Sequence, residues 1–259
     1  MSKSNERILN KLFQNTNTYT EKAIDINKEE FIKVIESRRS VRIYDESKVT
    51  ETDMLKCLEL SLLSANSSNL QPWEFYWVKD LEKKNKLINY CLGQPAAATA
   101  QELVVCVARP DNWKLNTQTM LDMFKEKELP QAVSTYYTKI VPLAYNQGFW
   151  GLFGVIKKIS TFFIGFRRPI PREPVSFNDM KIWAQKSTAL ACQTLMLSLR
   201  AFGYDSCPME GIDSLRIKKL LKLPKKAQIC MVISAGKRAK NGVYGKRYRL
   251  PQERFIKIV

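Results

Sequence analysis

Histidine is absent from this chain, and none of its six cysteines stands in a Cys-x-x-Cys pair. Those two absences remove most zinc sites, Ser-His-Asp triads and Cys-His dyads, and no metal site is expected. Histidine acid–base catalysis goes with them. A Gly-x-Gly-x-x-Gly fingerprint is also missing, so a nicotinamide is not expected on a Rossmann domain. Residues 1–12 lack the apolar run of a signal peptide. The longest apolar-looking stretch, residues 149–166, is interrupted by Lys157 and Lys158. Two central lysines make a spanning helix costly, so the expected location is the cytoplasm. An enzyme without histidine or metal motifs leaves its difficult chemistry to a bound cofactor.

What is present fits an ordinary globular core. The 259 residues are 45% hydrophobic, with no internal repeat and no low-complexity segment. One domain over residues 1–259 is expected, with residues 1–26 as an N-terminal extension. Cys57, Cys106 and Cys192 sit among apolar residues, as buried thiols do. The net charge of +17 is concentrated in the C-terminal half: residues 151–259 carry 22 Lys/Arg against 6 Asp/Glu. Such asymmetry suits nucleic acid, an anionic membrane or an anionic ligand; a solvated basic surface is the simpler reading. No nucleic-acid module accompanies the charge, and no nucleic-acid partner is expected.

Local signals mark the elements. Asn27-Lys28-Glu29-Glu30 resembles a capping box, followed by Phe31, Val34 and Ile35 at helical spacing. Thr50 opens another helix, with Met54, Leu55, Leu58, Leu62 and Leu63 as its apolar stripe. Residues 75–78, 103–107 and 228–234 read as core strands. Residues 181–202 form a long helix, apolar nearly all round and therefore central and buried, ending at Gly203. Asp213 caps a short basic helix. Helices and strands mixed around one long helix indicate an α+β domain. Residues 110–174 differ, with six of the eleven prolines and several glycines among aromatics. Within them, residues 147–158 read as an irregular or amphipathic segment. The preferred reading of 110–174 is a lid or dimer-packing insertion; the sharper one is a partner-binding segment or a peripheral membrane contact by residues 148–168, where Phe and Trp stand beside Lys.

Three segments share one chemical theme, a phosphate-bearing aromatic cofactor. Ser37-Arg38-Arg39-Ser40-Val41-Arg42 supplies guanidinium forks and hydroxyls that match phosphate oxygens. Asn66-Ser67-Ser68-Asn69, in a loop leading to Gln71-Pro72-Trp73, offers groups that donate and accept along the polar edge of a ring. Pro208-Met209-Glu210-Gly211 reads as a turn whose peptide N–H a planar ring could approach. Each has a plain alternative as a solvated helix end or an Asn/Ser-rich turn.

Together, in this order and spacing, these segments resemble the nitroreductase family of FMN flavoproteins, from about Phe31 to the C-terminus apart from the aromatic and basic insertion. The resemblance implies a nitroreductase-like α+β fold: a central, mostly antiparallel sheet surrounded by helices, in an intertwined homodimer. It implies FMN held by Arg38, Arg39, Ser40 and Arg42, with Arg38 favouring the phosphate and Arg42 nearer the N1/O2 edge of the ring. Glu210 and Gly211 match the turn whose backbone faces flavin N5, where bulk at Gly211 should distort the geometry. Asn66, Ser67, Ser68 and Asn69 would reach the site from the other subunit. A C-terminal phosphate ligand falls at Arg247 or Arg249, with Arg249 preferred from its spacing to Pro251. Gln94 falls where some members place a polar group near the flavin or substrate. Where the family often has Pro-Ser, this chain has Ala65-Asn66, so loop geometry and substrate preference are open to change. The implied activity moves hydride from NADPH or NADH through FMN to a small electron-poor acceptor such as a nitroaromatic or quinone. Rival readings are a binding protein using the basic half on an anionic polymer or membrane, and a specialised flavin-dependent reductase with a lid.

Overall fold

A computed structural model describes residues 21–125 and 131–259. The expected N-terminal extension lies, up to residue 20, outside the described residues. Four strands form one antiparallel sheet: β1 (Trp73–Trp77), β2 (Glu102–Ala108), β3 (Asp205–Met209) and β4 (Gln228–Gly236), in the order β1-β2-β4-β3. β2 and β4 occupy the centre, which is why Val104, Val105, Cys106 and Val107 are all sealed from solvent. Antiparallel register sets Val105 opposite Val232, and Met209 opposite Val232 on the other side.

The caps expected from local sequence are in place. The Asn27 carboxamide accepts from the Glu29 and Glu30 amides, opening α1 (Lys28–Ser37). Thr50 caps α2 (Glu51–Leu62), and Asp213 caps the short helix Ser214–Leu220. Each satisfies N–H groups that a helix start leaves without partners. The expected stripe on α2 is only half right. Met54 and Cys57 are buried with Ser61, whereas Leu55, Leu62 and Leu63 are exposed. On α1, no residue is buried, and Phe31, Ile32 and Ile35 are open to solvent.

The long helix α3 (Phe177–Ala201) crosses one face of the sheet and packs against α2. Its buried face runs through Trp183, Ala184, Thr188, Cys192, Leu195 and Leu199. The expectation that it is enclosed all round is corrected here: Ile182, Ala189, Leu190 and Gln193 are exposed in the single chain. They recur at helical spacing, so one whole face of α3 is open. A second correction concerns residues 205–209, the last two of which are expected in a turn. They form β3, and Pro208 is accommodated because β3 is the sheet edge, where a missing N–H breaks no ladder bond. Cys57, Cys106 and Cys192 are buried free thiols, as expected.

The described residues of 110–174 are mostly helical. They include α4 (Leu152–Ile164), preceded by a tight 3-10 turn at Phe149–Gly151.

Candidate functional site

The basic run begins where α1 stops. Arg38 is extended, and the following residues stay so, laying Ser40 against Ser206 of β3 in a parallel bridge. The Val41 amide donates to the Ser206 carbonyl at 3.2 Å, and the Arg42 amide to the Gly242 carbonyl at 2.7 Å. Val41 is fully buried. Alternation in extended chain then turns Ser40 and Arg42 away from the core, which is how one apolar residue orients two polar ones. Gly242 permits the crossing: a Cβ there would lie 2.5 Å from the Ile43 carbonyl oxygen.

Beyond Gly242 the chain folds back over the run. Arg38, Arg39, Ser40, Arg42, Arg247 and Arg249 line one pocket of about 240 Å³. Arg39 donates to the Gly245 carbonyl at 2.6 Å, and Arg247 donates to the Arg38 carbonyl. The Arg42 guanidinium lies 5.3 Å from the centre of the Tyr244 ring. Among the described residues, no ion pair engages Arg38, Arg42, Arg247 or Arg249. Arg38 is held below the usual arginine range, first by burial and then by repulsion from Arg247 and Arg249. Guanidiniums gathered without a protein counter-charge are suited to an anion with several oxygens, a phosphate monoester above all. Both C-terminal candidates face this pocket, so the preference for Arg249 over Arg247 finds no geometric support.

An ion-pair network fixes the frame behind the pocket. Asp205, almost fully buried at the start of β3, accepts from Arg200 at 2.9 Å and from Arg238 at 2.6 Å. Arg238 also donates to the Ser37 carbonyl at 3.3 Å, tying the end of α1 to the sheet just before Arg38. Sequence singles out neither arginine; the partners of Arg238 lie 33 and 201 residues away from it, and Arg200 meets Asp205 only across the turn from helix to β3.

Glu210 and Gly211 follow β3 directly. Gln94 donates its side-chain amide to the Cys91 carbonyl at 2.9 Å and to the Gly211 carbonyl at 3.2 Å. A Cβ added at Gly211 would meet nothing within 4 Å. The expected distortion by bulk at Gly211 is therefore not imposed by this chain's own packing. Open room in front of the turn is instead what the flat face of a flavin requires, and the turn and the arginine pocket both fit FMN.

The loop Asn66–Asn69 lies elsewhere. It leads into β1, the edge opposite β3, so it lies across the sheet from the Ser40–Ser206 bridge by three strand spacings, about 14 Å sideways, and toward the other end of the strands. Its shape is fixed locally: the Asn66 carboxamide accepts from the Gln71 amide at 2.8 Å, and Ser68, Asn69 and Gln71 all have positive φ. The Ser67 hydroxyl bonds Tyr145 at 3.0 Å, and the Ser68 hydroxyl bonds Tyr136 at 2.7 Å and Tyr145 at 2.9 Å. Tyr136 and Tyr145 belong to residues 110–174, so that segment braces the loop, with Tyr145 itself buried. No sequence signal pointed to these tyrosines.

Comparison with known proteins adds to this geometry. The sequence profile described as "Nitroreductase family" matches residues 35–126 and 167–237, more than half of the chain. Protein DrgA of Synechocystis is 28% identical over 219 residues, covering 84% of this chain and 88% of that one. A Thermus thermophilus protein named NADH dehydrogenase is 27% identical over 221 residues, covering 85% and 91%. A protein from Exiguobacterium sibiricum, solved in complex with FMN, superposes with a TM-score of 0.67 at 22% identity, over 93% of this chain and 100% of that one. The profile match is interrupted at residues 127–166, within the segment expected as an insertion.

Proposed function

The chain belongs to the nitroreductase family, and on that premise we propose that it is an FMN-dependent oxidoreductase that takes hydride from NADH or NADPH and passes it to a small electron-poor acceptor of nitroaromatic or quinone type. The observation that carries this reading is the pocket where Arg38, Arg42, Arg247 and Arg249 converge without a counter-charge. A bound flavin would supply the exchange of hydride; the chain's own residues bind it, orient it and keep one face open. Arg38, Arg39, Ser40, Arg247 and Arg249 hold the phosphate, and Arg42 lies toward the polar edge of the ring. The Glu210–Gly211 main chain faces the reacting side, with Gln94 holding that turn. Names borne by relatives point the same way: one is an NADH dehydrogenase, and one of the same fold was solved with FMN.

A homodimer completes the site. Asn66, Ser67, Ser68 and Asn69 stand at the wrong edge of the sheet to serve their own chain's pocket, and the exposed faces of α1 and α3 offer the apolar area on which a second copy can pack. Titration of apoprotein with FMN, read by quenching of flavin fluorescence, tests the cofactor assignment. One FMN per chain is expected; no quenching at micromolar protein contradicts it.

A further inference from the structure

α4 is mounted inside out. Gly154, Lys157 and Thr161 face the protein. A Cβ at Gly154 would meet the Val175 carbonyl oxygen at 2.3 Å, so the helix approaches as closely as a glycine allows. The Lys157 ammonium reaches inward to the Ala144 carbonyl at 2.7 Å and the Pro174 carbonyl at 2.9 Å. Arg172 donates to the Thr161 carbonyl at 3.3 Å. Those inner contacts leave no freedom to roll the helix over. Its outer face is Leu152, Val155, Ile156, Ile159, Phe162 and Phe163, all exposed. At 100° per residue they fall within an arc of roughly 120°. Phe149 and Trp150 precede it, 80% and 89% exposed and stacked on one another at 5.0 Å.

We propose that this face is a membrane-docking surface that lays α4 into the headgroup layer of an anionic bilayer. The charge around it selects that occupant: residues 151–174 hold five Lys/Arg, Lys157, Lys158, Arg167, Arg168 and Arg172, against the single acid Glu173. Lys158 and Arg167 are exposed beside the apolar arc. Interfacial helices combine an apolar face, aromatic residues and flanking cations in this manner. At 13 residues α4 is about 20 Å long, too short to span, and no described helix is long and apolar enough to cross a membrane. The family profile skips residues 127–166, so the surface is not one that the shared fold requires.

The test is co-sedimentation of the full-length protein with vesicles of phosphatidylglycerol and phosphatidylcholine in about a 1:2 ratio, at about 0.15 M salt. Trp150 is the exposed one of the five tryptophans, so its emission reports insertion directly. The expected result is pelleting with a blue shift, reduced roughly tenfold in bound fraction by F162S/F163S and also weakened by K158E/R167E. All four positions are on the surface, and circular dichroism checks that both variants fold. Wild type that stays in the supernatant overturns the proposal. So does F162S/F163S that pellets like wild type, which leaves only a basic surface. A shift of that variant from larger to smaller oligomer by light scattering, with no vesicle binding by wild type, assigns the face to a second copy and likewise overturns it.

Discussion

The side chain of Gln94 holds the main-chain oxygen of Gly211, 117 residues further along, at 3.2 Å. The residue that sequence placed near the substrate thus touches the turn proposed to face the flavin. One neutral hydrogen bond contributes about 1 kcal/mol, or roughly fivefold in an equilibrium or rate. Gln94→Leu should therefore keep its flavin and lose about fivefold in the rate of flavin reduction by NADH or NADPH. Stopped-flow absorbance measures this, and an unchanged rate removes Gln94 from the positioning of the turn.

The arginine pocket makes the binding prediction. A hydrogen bond to a charged group is worth about 1.5–3 kcal/mol, so Arg38→Ala should raise the Kd for FMN between about ten- and a hundredfold. Comparing Arg247→Ala with Arg249→Ala by the same fluorescence titration decides which C-terminal arginine reaches the phosphate. Wild-type affinity in all three would sink the pocket assignment.

A site shared between two chains can be complemented. Chains carrying Arg38→Ala and chains carrying Ser67→Ala/Ser68→Ala should each be weak alone. Unfolded together and refolded as mixed dimers, they should regain activity, because one of the two sites is then intact on both sides. If mixing restores nothing, the loop serves its own chain or no site at all.

Asp205 anchors two guanidiniums while itself almost fully buried. Asp205→Ala leaves Arg200 and Arg238 without their partner. Both are part exposed, so the cost should be about 2–3 kcal/mol, below the range for a fully buried pair. A urea unfolding series measures it, and a loss under about 0.5 kcal/mol would mean that the network does not hold the frame of the pocket.

Burial depresses Lys157 from its ordinary value to about 8. The folded state then binds this proton less tightly than the unfolded chain, whose lysine titrates near 10.4. Stability should rise with pH between about 8 and about 10.4, the window in which the unfolded chain holds more protons. Lys157→Met should lack that increment, and the difference in unfolding free energy between the two proteins, followed from pH 7.5 to 10, checks the sign.

Local chemistry carried well from sequence to structure. Asn27, Thr50 and Asp213 cap helices because their side chains need only the next turn of backbone, and the alternating or continuous apolar strands were readable because burial follows directly from composition. Relations across the sheet were not readable. An edge strand tolerates Pro208, so the end of β3 reads as a turn in sequence; only the strand order reveals the edge. The helical period of α4 shows that one face is apolar, but not that this face points outward, since the deciding contacts are Gly154 on Val175 and Lys157 on Ala144 and Pro174. The arginine cluster was readable in its parts, because Arg38 to Arg42 and Lys246 to Arg249 are dense basic runs. Their convergence depends on Gly242, a single close crossing.

The central claim is that this chain exchanges hydride through bound FMN. The most direct measurement is the visible absorption spectrum of the FMN-loaded protein, without oxygen, before and after adding NADH or NADPH. The account predicts flavin bands that bleach with at least one nucleotide and return when a quinone is added. A protein that takes up no FMN, or whose flavin bands stay unchanged with both nucleotides, would contradict it.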